Sequence, residues 1–343
     1  MPHTENIILI TADGLRYQEL FSGADADLLA DKKSGIESPA VLRSQFWRPT
    51  AEERRLALLP FFWGILAPQG IVLGNKARGS SVQVTNSYRV SYPGYAEILT
   101  GQPLPQITGN KEIRIPRETV LEFVRRKFML SRMGVAAFTS WSVFFYISAH
   151  EENGIFCNAG YQPVPHGFAT PEMDIFSLLQ RRALTPWDSS RHDVFTFELA
   201  VDYLKTYQPR LLFMAFDETD DWAHARRYDR VLQLIRLLDD LLKELWQTLQ
   251  SLEPYRNKTT LILTSDHGRG RGLADWSDHG SKVKGAEDIW LAVVGPDTPE
   301  RGEVASSPEV YQKQVASTLL RLLGLDYKEF NPEAGPPIAL AVR

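Results

Sequence analysis

Acidic residues and histidines occur together in three short segments of this 343-residue chain. Asp13 stands in an Ala-Asp-Gly triplet, residues 217–224 carry four acids and a histidine, and residues 266–280 contain two Asp-His-Gly triplets. Three of the seven histidines, His224, His267 and His279, lie in these segments. Carboxylates and neutral imidazoles are the usual ligands of Zn²⁺ and related divalent cations, so their conjunction predicts a metal site.

Each segment taken alone has a simpler interpretation. Asp13 can cap a helix, the triplet that begins at Asp266 can form a turn, and residues 217–221 can form a solvated acidic loop. The metal-site hypothesis therefore depends on the occurrence of all of them in one chain.

Residues 217–224 offer two candidates for one ligand position. Asp220 and His224 are four residues apart, so on a helical turn their side chains face the same way. Asp217 lies closer to the end of the preceding apolar run. The spacing favours Asp220, and Asp217 remains the alternative.

A further candidate for chemistry is Ser91, which precedes Pro93 at a predicted helix start. A serine there can simply be a helix cap with a proline near the first helical position. The same geometry suits a reaction, because a helix N-terminus presents free N–H groups and a positive dipole end to a phosphate. A serine beside a metal ion can lose its proton and attack phosphorus.

These residues must be positioned by regular elements, and short apolar runs predict the strands. The predicted strands are residues 6–11, 70–73, 135–139, 211–216, 259–264 and 289–294, and the predicted helices are residues 118–128, 194–207, 231–249 and 311–323. Their alternation predicts an α/β fold, with helical layers on both sides of a central, mostly parallel sheet. Because the acids and histidines follow strands, we expect the site at the carboxyl edge of that sheet.

Two regions do not fit the alternation. Residues 22–63 are mixed and rich in charge, and residues 144–190 are rich in proline, glycine and aromatic side chains. We expect one catalytic domain over residues 1–343, with these two regions as insertions or cap segments that shape substrate choice.

Composition narrows the class of partner. The net charge of −4 and the pI of about 6.0 argue against a nucleic-acid binder, although bound cations can still attract a small anionic substrate. No apolar run is long enough to span a membrane, and the N-terminus lacks a signal-peptide pattern. We expect a cytoplasmic protein, or a periplasmic or secreted one whose signal peptide has been removed. The oligomeric state is not readable from the sequence.

The ordered set of motifs resembles the alkaline phosphatase superfamily, and most of all its type I phosphodiesterase/nucleotide pyrophosphatase branch. That branch has an Asp after the first strand, a nucleophilic Thr or Ser in a segment that ends in Thr-Gly, an Asp-x-x-x-His pair, an Asp-His-Gly and a later His-Gly. Here the nucleophile segment reads Ser-Tyr-Pro-Gly-Tyr from Ser91 and ends at Thr100-Gly101. The sequence departs from the branch at Gly94 and Tyr95, where Asn-His is frequent, and this departure bears on the substrate pocket more than on the chemistry.

The resemblance implies a phosphoester hydrolase with two divalent cations, Zn²⁺ or alternatively Mn²⁺, that acts on a small phosphorylated substrate. By this resemblance one cation is held by Asp13, Ser91, Asp266 and His267, and the other by Asp220, His224 and His279. Asn110 follows Ser91 at about the distance where the branch has an Asn that contacts the phosphoryl oxygen, and a turn residue after Gly109 is the simpler interpretation of it. The resemblance does not reveal whether the substrate is a monoester or a diester.

Three other functions remain open on the same scaffold. A phosphoglycerate-mutase-like phosphotransferase needs a large inserted domain, and the 128 residues between Ser91 and Asp220 are few for one. A sulfatase needs Cys-x-Pro-x-Arg or Ser-x-Pro-x-Arg, and the segment from Ser91 lacks the arginine. A non-catalytic metal-binding member is disfavoured because every ligand position is filled.

Overall fold

Apolar side chains alternate between the two faces of the central strands. In the computed structural model, which describes residues 3–343, Ile8 and Ile10 of the first strand join the core of one face. Ile7 and Leu9 of the same strand join the core of the other face. Because both faces are buried, the strand is apolar throughout, as the sequence pattern predicts.

The secondary structure alternates as predicted through most of the chain. The strands are β1 Asn6–Ala12, β2 Gly70–Leu73, β3 Val82–Gln83, β4 Val135–Thr139, β5 Phe156–Ala159, β6 Leu211–Phe216, β7 Thr259–Thr264, β8 Asp288–Ile289, β9 Leu291–Val294, β10 Gly302–Glu303 and β11 Val310–Tyr311. The helices are α1 Tyr17–Ser22, α2 Ala26–Ala30, α3 Pro39–Phe46, α4 Ala51–Leu58, α5 Ser91–Thr100, α6 Val120–Lys127, α7 Phe144–Ile147, α8 Pro171–Leu179, α9 Asp193–Tyr207, α10 Glu218–His224, α11 Tyr228–Ser251, α12 Val315–Leu322 and α13 Tyr327–Phe330.

Eight strands form the central sheet in the order β10-β2-β9-β7-β1-β6-β4-β5. The strands from β7 to β5 are parallel to one another, and β9 is antiparallel to both of its neighbours. The predicted α/β fold with a mostly parallel central sheet is confirmed. A separate small sheet has the order β11-β3-β8.

Two predicted elements are divided in the structure. Residues 289–294 were expected to form one strand, but β8 pairs in the small sheet and β9 in the central sheet. The chain changes sheets at Trp290, whose buried indole N–H donates to the carbonyl of Leu15 at 3.0 Å. Residues 311–323 were expected to form one helix, but a 3₁₀ turn, Gln312–Gln314, precedes α12.

The two regions expected to be insertions are both folded against the rest of the chain. Residues 22–63 contain α2, α3 and α4, and Asp239 of α11 accepts the backbone N–H groups of Phe61 and Phe62 at 2.8 and 2.7 Å. Residues 144–190 contain α7 and α8 and also supply β5, an edge strand of the central sheet. Their role as caps stays a prediction. No helix in residues 3–343 is both long and apolar enough to cross a membrane.

Candidate metal centre

Three neighbouring strands of the sheet deliver the candidate ligands to one edge. Asp13 follows β1, and Asp266 and His267 follow β7. Strand β6 leads into α10, which carries Asp220 and His224 on consecutive turns. Since β7, β1 and β6 are adjacent and parallel, their carboxyl ends meet at the edge where α/β proteins bind ligands.

The inner cluster consists of Asp13, Asp266 and His267 together with Ser91, the first residue of α5. The ligand atoms of its two carboxylates and its imidazole lie within 4.8 Å of one another. His267 Nε2 is 3.4 Å from Asp13 Oδ1 and 3.4 Å from Asp266 Oδ2. It is also 3.5 Å from Ser91 Oγ. All four residues are buried, with at most 6% of their surface exposed.

The outer cluster consists of Asp220, His224 and His279, whose ligand atoms also lie within 4.8 Å of one another. His224 Nε2 is 3.1 Å from Asp220 Oδ2 and 2.9 Å from His279 Nε2. The side chain of His224 is 46% exposed, so this cluster opens towards solvent. The rings of His267 and His279 stack with centroids 3.9 Å apart, which joins the two clusters.

Each inner carboxylate has one oxygen that accepts a hydrogen bond and one that is free to bind a cation. Tyr95 donates its hydroxyl to Asp13 Oδ2 at 3.0 Å, and Gly14 donates its backbone N–H to Asp266 Oδ1 at 3.0 Å. The remaining oxygens, Asp13 Oδ1 and Asp266 Oδ2, are buried and have no hydrogen-bond partner. Buried anionic oxygens without a partner are strongly unfavourable, so these residues fit a bound cation.

Burial shifts the protonation of both ligand types. Burial, together with the nearby carboxylates of Asp266 and Asp217, raises the pKa of Asp13 well above its ordinary value. Burial likewise raises the pKa of Asp266. Burial lowers the pKa of His267 and His279, so both imidazoles are neutral at pH 7 and keep the lone pair that a cation needs.

Backbone carbonyls orient two of the three imidazoles. Nδ1 of His267 lies 3.0 Å from the carbonyl of Gly268, and Nδ1 of His279 lies 3.1 Å from the carbonyl of Arg89. A carbonyl only accepts, so Nδ1 carries the proton and Nε2 presents its lone pair to the cluster. Arg89 has a positive φ of 53°, and Asn86 Oδ1 accepts its N–H at 2.8 Å. The guanidinium of Arg89 pairs with Glu287 at 3.1 Å rather than entering the site.

Helix α5 holds Ser91 at its first residue, and all ten of its residues are buried. A Cβ on Gly94 would lie 2.3 Å from the carbonyl oxygen of Asp266, so only glycine allows this close approach. Tyr95, one residue later, is fully buried against Asp13. The two positions that depart from the branch therefore both lie against residues of the inner cluster.

Asn110 lies beside the start of α5. Its Oδ1 accepts the backbone N–H of Tyr92 at 2.9 Å. Because the side-chain oxygen is engaged, the amide Nδ2 is the group left to donate to a substrate next to Ser91.

Asp217 belongs to neither cluster. Its Oδ2 accepts the hydroxyl of Ser190, and its backbone N–H donates to Asp193 at 2.9 Å. Burial raises the pKa of Asp217 to about 6 and that of Asp221, one helical turn later, to about 10. The geometry therefore favours Asp220 as the ligand candidate.

Two supporting residues escape prediction from the sequence. Gln312 donates its side-chain amide to the carbonyls of Ser265 at 3.0 Å and Asp266 at 2.7 Å. Arg269 is buried and donates to the carboxylate of Asp220. Arg269 follows an Asp-His-Gly triplet, but no sequence signal shows that such an arginine turns inwards.

Comparison with known families agrees with this geometry. Residues 137–284 match the model of the type I phosphodiesterase/nucleotide pyrophosphatase family. The resemblance to the alkaline phosphatase superfamily is confirmed. The matched region contains the whole outer cluster together with Asp266 and His267, whereas Asp13 and Ser91 precede it. The prediction of a phosphoric ester hydrolase is confirmed at the level of this family, and its superfamily is metal-dependent.

Solved structures of the superfamily share the fold at low sequence identity. A protein in the alkaline phosphatase superfamily from Vibrio parahaemolyticus is 13% identical, with a TM-score of 0.54 over 98% of this chain and 71% of that one. The lipoteichoic acid synthase LtaP from Listeria monocytogenes is 11% identical, with a TM-score of 0.57 over 98% and 74% of the two chains. The phosphonate monoester hydrolase of Agrobacterium radiobacter is 13% identical, with a TM-score of 0.52 over 98% and 78%. No curated protein sequence matches the chain.

Proposed function

We propose that the chain hydrolyses esters of phosphoric acid with Ser91 as nucleophile and with two divalent cations. The first cation is assigned to Asp13, Ser91, Asp266 and His267, and the second to Asp220, His224 and His279. The observation that most supports the proposal is the pair of buried, unpartnered oxygens on Asp13 and Asp266, which lie around the imidazole that also approaches Ser91 Oγ.

The cations supply the part of the chemistry that side chains alone do not. When bound, they lower the pKa of the Ser91 hydroxyl and stabilise negative charge on the phosphoryl oxygens. We assign Zn²⁺ to both sites because the ligands combine imidazole nitrogen with carboxylate oxygen, a set that also accepts Mn²⁺.

The residues of the chain position the substrate for attack. Ser91 Oγ forms the new bond to phosphorus, the bond from phosphorus to the leaving-group oxygen breaks, and water later releases phosphate from the serine. The N-terminus of α5 directs its dipole at the developing negative charge. Asn110 Nδ2 donates to a phosphoryl oxygen, since its Oδ1 is held by Tyr92.

The structure disfavours the two other enzyme classes. In the sulfatase pattern an arginine stands four residues after the nucleophile, but here that residue is Tyr95, which is buried on Asp13. A mutase needs a large extra domain between the nucleophile and the Asp-x-x-x-His pair. In this chain the intervening residues form β4, β5 and β6 of the central sheet.

The test is an assay with bis-p-nitrophenyl phosphate and p-nitrophenyl phosphate on protein loaded with Zn²⁺. We expect nitrophenol release that requires the metal and that falls by orders of magnitude in Ser91→Ala. Ser87→Ala is the matched control, because Ser87 lies four residues earlier and is exposed outside both clusters. The ratio of the two rates then assigns a monoester or a diester preference.

Two results contradict the proposal. If metal binds but neither ester is cleaved, the substrate class is wrong. If Ser91→Ala cleaves as fast as Ser87→Ala, another group is the nucleophile.

A further inference from the structure

We propose that Arg269 is a built-in counter-ion of Asp220 that makes the outer cluster the weaker, exchangeable cation site. The inference rests on the proposed function, because it assumes a cation in each cluster. It concerns how tightly each cation is held, which the assignment of ligands leaves open.

Arg269 lies against the outer cluster from the protein interior. Only 2% of its surface is exposed, and its Nη2 donates to Asp220 Oδ1 and, at 3.1 Å, to the backbone carbonyl of Asp220. Its Nη1 donates to the carbonyl of Ser277, while its buried Nε has no partner. Its guanidinium carries a positive charge, as arginine does in proteins at pH 7.

Arg269 holds only Oδ1 of Asp220, which leaves Oδ2 available to a cation. Asp220 Oδ2 lies 3.1 Å from His224 Nε2, whereas Oδ1, which accepts from Arg269, lies 3.8 Å from His279 Nε2. Gly14 makes room for the ion pair, since a Cβ there would lie 2.7 Å from Asp220 Oδ1 and 2.8 Å from Arg269 Nε. Its positive φ of 57° also suits glycine.

The same arrangement in the inner cluster uses uncharged donors. Asp13 is held by the hydroxyl of Tyr95, and Asp266 by the N–H of Gly14. Among residues 3–343, no charged side chain is hydrogen-bonded to the two inner carboxylates, although the charge of Arg269 also acts on Asp13 from a distance. In the outer cluster the single carboxylate is already neutralised, and a cation there is repelled by a buried positive charge.

The first experiment titrates the metal-free, full-length protein with ZnCl₂ by calorimetry at pH 7. We expect two phases whose dissociation constants differ by at least about tenfold, because charge interactions are strong in a buried site. The weak phase is expected to disappear in His224→Ala and the tight phase in Asp266→Asn. Equal affinities in the wild type, or loss of the tight phase in His224→Ala, overturn the proposal.

The second experiment separates charge from packing. Arg269→Gln removes the charge and is expected to tighten the weak phase about tenfold, whereas Arg269→Lys keeps the charge and preserves the wild-type separation. A residue with a merely structural role does not produce this pattern, because a loosened fold weakens both phases. An unchanged or weaker second phase in Arg269→Gln overturns the proposal. If Arg269→Gln does not fold, Arg269→Lys decides. Two equal zinc affinities in Arg269→Lys also overturn the proposal, because this variant keeps the charge.

Because the zinc titration contains no substrate, it tests the role of Arg269 independently of the proposed ester hydrolysis. Two separated phases without ester cleavage contradict the proposed hydrolysis and leave the role of Arg269 standing. Ester cleavage with two equal affinities contradicts the role of Arg269 alone.

Discussion

The inner and outer clusters use similar ligand atoms in opposite surroundings. The inner cluster is buried and takes its carboxylates from loops that directly follow β1 and β7. The outer cluster takes its residues from the short helix α10 and from a loop, and His224 is nearly half exposed. The non-ligating carboxylate oxygens are held by neutral donors in one cluster and by Arg269 in the other. The affinity of an aspartate for a cation thus depends on whether the donor to its other oxygen is neutral, as for Asp13 and Asp266, or charged, as for Asp220.

The comparison is tested most severely by removing one ligand from each cluster. We expect Asp13→Asn to lose the inner cation and ester hydrolysis together, because the buried site then lacks one of its two free anionic oxygens. We expect His224→Ala to retain the inner cation after desalting. Elemental analysis of the desalted proteins measures the retained metal.

Asp217→Asn is the control for this pair, because it makes the same chemical change at a buried acid outside both clusters. It is expected to retain the inner cation and to bind the second one as the wild type does. Loss of the second cation in this variant would show that Asp217, and not Asp220, is the ligand.

A smaller effect is expected from Asn110, which acts on substrate and on neither cation. Asn110→Ala should lower kcat about 10²- to 10³-fold, as the loss of one donor to transition-state charge does elsewhere. Metal content should stay unchanged, since Asn110 contacts the N–H of Tyr92 and no ligand in either cluster. A change in zinc stoichiometry in this variant would contradict the assignment.

The neutral donor of the inner cluster gives the next prediction. Tyr95→Phe removes the hydroxyl that holds Asp13 Oδ2, and we expect inner-cation affinity to fall about 10- to 100-fold, as for other groups that orient metal ligands. Tyr92→Phe is the matched control on the same helix, because its hydroxyl donates to the carbonyl of Ile113 instead. Equal zinc affinities in the two variants would remove Tyr95 from the metal site.

The smallest effect is a pH dependence of stability in the metal-free protein. The folded-state pKa of Asp13 and Asp266 is raised, so folding retains protons that the unfolded chain releases. Stability from these groups is full below the ordinary carboxyl pKa and is lost as pH rises towards the raised values. A cation replaces the protons and adds about 2.7 kcal/mol per site at a hundredfold excess over Kd.

We therefore expect the Tm difference between zinc-loaded and chelated protein to grow from pH 5 to pH 8. Differential scanning calorimetry of both forms across this range measures it. A difference that does not depend on pH would mean that no buried carboxyl proton is exchanged for the cation.

The long strands and helices could be predicted from sequence because burial on both faces leaves uninterrupted apolar runs. Strands β3, β8, β10 and β11 have only two residues each, too few for a periodic pattern, and their pairing is decided by tertiary contacts. The break at Trp290 depends on a hydrogen bond to Leu15, which no local pattern reveals.

The ligand candidates were visible because acids and histidines follow apolar runs at characteristic spacings. The residues that hold them were not. Tyr95 and Gln312 have the appearance of ordinary helix-start residues, and the carbonyl of Arg89 has no sequence signature at all. These supporting contacts join segments that are distant along the chain, so they become visible only in the folded molecule.

The position of β1 in the sheet has a consequence for the order of folding. Both of its neighbours, β6 and β7, come from the second half of the chain, with Ile7 opposite Leu211 and Asn6 opposite Thr259. Strand β1 therefore has no partner in the sheet until β6 or β7, both far along the chain, joins it. Contacts of such high sequence separation slow folding, because a long loop must close before they form. Asp13 meets Asp266 and His267 only after this closure, so a chain truncated before β7 should bind no cation at the inner cluster.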